Sequence, residues 1–138
     1  MIEVLNYIRQ LLENDTVISQ HLSQYGEDGY EVPAIAYQVA PNDMKMPYIV
    51  TNVQPSSDTN PAVDRFIYTT DIYVDNGDIV TAQILADRVD YLLHRHKLPT
   101  EIGIGVWRDG KFPITNEDDL AVQHFHVSFV VRYKRIIY

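Results

Sequence analysis

The chain opens with apolar side chains three and four positions apart. Val4, Leu5, Ile8, Leu11 and Leu12 share one side of a helical wheel, with Glu3, Arg9, Gln10 and Glu13 opposite. This spacing predicts an amphipathic helix. Asn14-Asp15 interrupts it, and Asp15 is placed to cap a short second turn carrying Val17, Ile18 and Leu22 before Gly26 and Gly29 break regularity. From Ala34 the period drops to two. Ile35, Tyr37 and Val39 predict one strand, and the β-branched and aromatic run Tyr48 to Val53 predicts another. Phe66, Tyr68, Thr70, Ile72 and Val74 then alternate with Arg65, Thr69, Asp71 and Asp75, as a strand with one buried face requires. After Asn76-Gly77, Asp78 is the expected N-cap of a helix whose stripe is Ile79, Ala82, Leu85, Ala86, Val89, Leu92 and Leu93, with Pro99 as its latest possible end. The closing strand sets Phe125, Val127, Phe129, Val131 and Tyr133 against His124, His126, Ser128, Arg132 and Lys134.

Two stretches break these patterns. Pro55-Ser56-Ser57-Asp58-Thr59-Asn60-Pro61 has two prolines and no large apolar side chain, which predicts a projecting loop that joins neither ladder nor core. Residues 100 to 119 hold Gly103, Gly105, Gly110 and Pro113, and only Ile104 to Trp107 reads as a short strand. The expected architecture is α+β, one domain over residues 1–138. A small, mostly antiparallel sheet carries two main helices on one face and a long-tipped hairpin.

Composition narrows the function classes. The chain has 138 residues, enough to bury a single core without disulfides or a structural metal. Absence of cysteine removes thiolate zinc sites, iron–sulfur clusters and thiol catalysis. No apolar run reaches the ~18 residues of a membrane span, and the N-terminus lacks a basic signal-peptide region. A formal charge of -8 argues against direct nucleic-acid binding, which relies on clustered Lys and Arg. The charge is uneven: residues 1 to 60 carry 2 basic and 8 acidic side chains, and residues 120 to 138 carry 3 and 0.

Candidate chemistry is sparse. His124-x-His126 puts two imidazoles on one side of a strand, where both can reach a metal. No third ligand is visible, and half-exposed histidines opposite a buried aromatic face are the commoner arrangement. There is no nucleophile elbow, dinucleotide fingerprint or P-loop. The Asp71 to Asp78 stretch fails as a calcium loop because Tyr73 takes a ligand position. No catalytic, cofactor-binding or metal residue is assigned. Ten tyrosines and the Trp107-Arg108 pair point instead to protein contacts, because Tyr, Trp and Arg are enriched at interfaces.

The order of helix, loop, Met46-Pro47-Tyr48-Ile49-Val50 strand, long loop, Arg65 to Val74 strand, Ile79 to Leu93 helix and Phe125 to Tyr133 strand resembles the tail-completion or tail-terminator family of tailed phages. The likeness runs over about residues 3 to 135. It implies a non-enzymatic virion protein, at the head-tail interface of the tail and in the host cytoplasm during assembly. It also implies a homo-oligomeric ring, typically a hexamer, that caps the tail tube and joins it to the head connector. The expected partners are other copies of the chain, the tail tube protein and the head-completion or connector protein, with no cofactor, nucleic acid or membrane. The expected contact residues are Pro55, Ser56, Ser57, Asp58, Thr59, Asn60, Pro61, Trp107 and Arg108. A metal-dependent enzyme or ligand-binding module using His124 and His126 is the alternative.

Overall fold

A computed structural model describes residues 1–26, 29–56, 63–114 and 122–134. The helices are α1 (Ile2–Glu13), α2 (Thr16–His21) and α3 (Ile79–Leu93). The strands are β1 (Gln24–Tyr25), β2 (Val32–Pro33), β3 (Ile35–Tyr37), β4 (Tyr48–Ser56), β5 (Val63–Asp75), β6 (His96–Lys97), β7 (Gly103–Ile114) and β8 (Val122–Lys134). β1 and β2 form a small ladder of their own, and the other six make one sheet in the order β3-β4-β5-β8-β7-β6. The pairings in this sheet are antiparallel except β3 with β4.

The two clearest alternating segments become the middle of the sheet. β5 and β8 pair from Val63↔Lys134 to Asp75↔Val122, so Phe66, Tyr68 and Ile72 share a face with Val131, Phe129 and Phe125. That face is covered by α1 and α3, which contribute Val4, Ile8 and Leu12 from one helix and Leu85, Val89 and Leu93 from the other. Phe125, Val127 and Phe129 are buried as the pattern predicts. The α+β arrangement with helices on one face is thus the observed one.

Asp15 does two jobs. Its Oδ2 accepts from the Ile18 N–H at 3.0 Å and caps α2. The same carboxylate takes a bidentate grip from Arg88 of α3, at 3.0 Å from Nε and 2.7 Å from Nη2. The Arg88 hydrogen bond, outweighing burial, holds the Asp15 carboxyl below its ordinary range. One residue therefore starts α2 and docks it on α3.

Several expectations are corrected. Asp78 precedes α3, but its side chain makes no capping hydrogen bond. Ile79 points outward with 59% exposure, because it belongs to the first turn, ahead of the buried stripe that starts at Ala82. The strand expected through Val39 stops at Tyr37: Gln38 takes φ 63° and its N–H donates to Thr51 O at 2.9 Å, which ends the alternation and leaves Val39 outside.

Pro55 and Ser56 were expected in a loop and instead extend β4, opposite Phe66 and Arg65. Ile49 N–H and Thr51 C=O both bond toward β3, so by the alternation of the strand Pro55 turns its missing N–H the same way. β3 ends its pairing at Thr51, so no ladder bond is lost there. Ser57, Asp58, Thr59, Asn60 and Pro61 lie outside the described residues. Residues 103–114, expected to be mostly irregular, form the twelve-residue β7, with register shifts between Gly103 and Gly105 and between Arg108 and Gly110. The glycines that read as breakers are absorbed as bulges and close contacts. Among the described residues no helix is long and apolar enough to cross a membrane.

Candidate functional site

The helices cover one face of the sheet, and the other is left partly exposed. Cross-strand register defines this open face in rows. Ile67, Val130 and Trp107 form an apolar row, and Thr69, Ser128 and Gly110 form a small, polar one. Asp71, His126 and Phe112 come next, followed by Tyr48, Tyr73 and His124.

Rings lie flat along these rows. Tyr73 stacks between Tyr48 and His124, with centroid distances of 5.2 and 4.2 Å, and Phe112 leans on His126 at 5.1 Å. On β7 the sequence Gly-x-aromatic occurs twice, and the structure explains why. A Cβ on Gly105 would stand 2.9 Å from the Trp107 ring, and one on Gly110 would stand 3.3 Å from the Phe112 ring. Each glycine lets the aromatic two residues later fold back over the strand. Trp107 and Phe112 nevertheless stay 38% and 47% exposed.

The two strand histidines do meet on this face, as their spacing predicts, and both turn to Asp71. His124 Nε2 and His126 Nδ1 each lie 2.7 Å from Asp71 Oδ1. A carboxylate only accepts, so each of these nitrogens carries a proton toward it. Burial alone would raise the Asp71 carboxyl. The hydrogen bonds from His124 and His126 overcome that and bring it down to about 2. Spacing along the chain singles out the histidines and places Asp71 only among the polar positions of a separate strand. The missing link was register, which sets Asp71 directly across from His126. Among the described residues no group of three or more acidic, His or Cys side chains is arranged to hold a metal ion. The cluster orders the face, locking two imidazoles and one carboxylate into one plane of contacts.

The predicted contact residues are dispersed. Trp107 lies on the open face, whereas Arg108 faces the helices and donates to Asp90 at 2.7 Å. Lys111, on the same side, donates to Asp87 at 2.6 Å. Neighbours on a strand point to opposite faces, so Trp107 and Arg108 lie on different faces of the sheet. Ser56 accepts from Arg65 Nε at 3.0 Å on the open side, at the end of the sheet where β4 turns toward β5.

No family model matches the chain, and no curated protein does. Solved structures do share its fold. A chain of the virion of a native gene transfer agent particle aligns with a TM-score of 0.67 and 19% identity, over 93% of this chain and 92% of the other. A second solved structure aligns with a TM-score of 0.50 and 15% identity, over 76% of this chain and 81% of that one. At these identities the likeness is one of fold.

Proposed function

We propose that this protein is a structural component of a phage or phage-like virion, acting as a tail-completion protein. In this reading a ring of copies, six in number, caps the tail tube and joins it to the head connector. The observation that carries the reading is the near end-to-end fold likeness to a chain of a gene transfer agent virion, 93% of this chain on 92% of the other. The order of sequence elements that resembles the tail-completion family supports it independently. So does the site: a broad sheet face with exposed aromatic side chains suits protein contact better than a small substrate.

The decisive experiment removes the gene from the particle that encodes it. Heads and tails should then accumulate separately, and purified protein added to that lysate should join them. Normal particles in the deletion strain would refute the reading.

A further inference from the structure

Among the exposed and half-buried apolar side chains of this molecule, two groups lie far apart. One is the Ile67-Val130-Trp107 row of the open face, where the next row along the strands holds Arg65 and Arg132, with Lys134 beyond. The other is the start of α3, where Ile79 and Val80 are 59% and 66% exposed. With Gln83 and Ile84 they line a shallow hollow of about 360 Å³.

The charges around these places are opposite in sign. Asp75 and Asp78 flank the start of α3, and residues 66 to 87 contain no Lys, Arg or His. Asp78 makes no side-chain capping hydrogen bond there. An apolar row edged by cations thus has a counterpart in an apolar hollow edged by anions.

Within one copy the two cannot meet. β5 carries Arg65 near its start and Asp75 at its end, roughly 33 Å apart at the rise of a strand. The apolar row also lies on the open face of the sheet, whereas α3 packs on the other face. Contact between them therefore requires a second copy, and it leaves that copy's own sheet row open for a third. Such a heterologous contact propagates, giving a ring if the rotation closes.

Resting on the ring reading above, we infer that the subunit contact seats the start of α3 of one copy, around Ile79 and Val80, on the Ile67-Val130-Trp107 row of the next. Arg65 and Asp78 then pair across the contact. Four strands about 4.8 Å apart and about nine residues long offer roughly 600 Å² of open face. That is below the ~800 Å² per partner of a standard stable interface. The isolated chain should therefore associate in a concentration-dependent and salt-sensitive way.

Cysteine cross-linking tests this contact on the isolated protein, because the chain has no cysteine of its own. Gln54→Cys lies at the exposed end of the apolar row, and Val80→Cys lies at the hollow. A chain bearing both should give, on mild oxidation, a ladder of dimers, trimers and higher species ending at one size. Mixing the two single variants should give dimers only, and neither single variant alone should cross-link. Arg65→Asp should lower the yield by about tenfold, and combining it with Asp78→Arg should restore it. A second pair, Gln54→Cys with Gln83→Cys, guards against a local misfit at residue 80.

Cross-linking of the Gln54→Cys chain alone would mean face-to-face dimers and would overturn the proposal. So would yields from both pairs no higher than from a Tyr30→Cys control, a position 84% exposed and not part of the proposed contact. A protein that joins heads to tails yet forms no ladder refutes this contact only. One that forms the ladder but joins nothing refutes the tail-completion reading only.

Discussion

The two faces of the sheet are built from the same strands and obey different rules. On the helix side Phe66, Phe129, Val127 and Ile72 are at or below 1% exposure, and the neighbours that close over them are apolar. On the open side, most residues one position away along the same strands are only partly covered, and polar groups there bond within the face: both histidines to Asp71, Thr69 to Asn52, Arg65 to Ser56. A single-residue step along a strand therefore moves a side chain from a site dominated by apolar packing to one dominated by polar contacts.

The sharpest way to break this contrast is to compare neighbours. Phe129→Ala should cost about 3 to 5 kcal/mol in guanidinium denaturation, because it empties a core position. Val130→Ala, on the open face, should cost less than about 1 kcal/mol. Equal losses would mean that the open face is as tightly packed as the covered one.

Asp71 is where the contrast should narrow. Its folded-state pKa of about 2 lies below the ordinary 3.8, so the folded state binds the proton more weakly than the unfolded chain does. The resulting stability is complete above about pH 4 and lost as the pH falls through about 2, a span of about 2 kcal/mol. Denaturation curves between pH 2 and 6 should show that slope in the native protein and lack its Asp71 share in Asp71→Asn. An unchanged slope in the variant would detach Asp71 from the two imidazoles.

The two expected helix caps form a smaller comparison. Asp15→Ala should cost about 1 to 2 kcal/mol, since it removes a cap and the partner of Arg88 together. Asp78→Ala should change stability by less than about 0.5 kcal/mol, because no capping bond is lost. Thermal unfolding of the two variants side by side measures the difference. A large loss at Asp78 would show that its carboxylate caps α3 after all.

Gly105→Ala should be read by a distinct, optical effect. Trp107 is the single tryptophan, and a methyl group beneath its ring must lift it from the strand, shifting its emission to longer wavelength. Emission that stays put would mean that the ring does not lie over Gly105.

The sequence by itself determined what depends on periodicity and local chemistry. The α1 and α3 stripes, the alternation of β5 and β8, the burial of Phe129 and the Asp15 cap are all properties of residues within a few positions of one another. Their energetics, burial of one face and satisfaction of a helix end, are written in that spacing. Tertiary structure decided everything that needed register or a distant neighbour. Beyond Ile104 to Trp107, β7 was illegible because glycine weakens a strand locally, whereas pairing with β8 supplies the ladder and Trp107 and Phe112 fill the space above Gly105 and Gly110. Pro55 could join β4 only because β3 stops pairing before it, which no local pattern announces. The meeting of Asp71 with His124 and His126 rests on a register between residues more than fifty positions apart. The separation of Trp107 from Arg108 onto opposite faces follows once β7 is a strand, because side chains on a strand alternate and a sheet has only two sides.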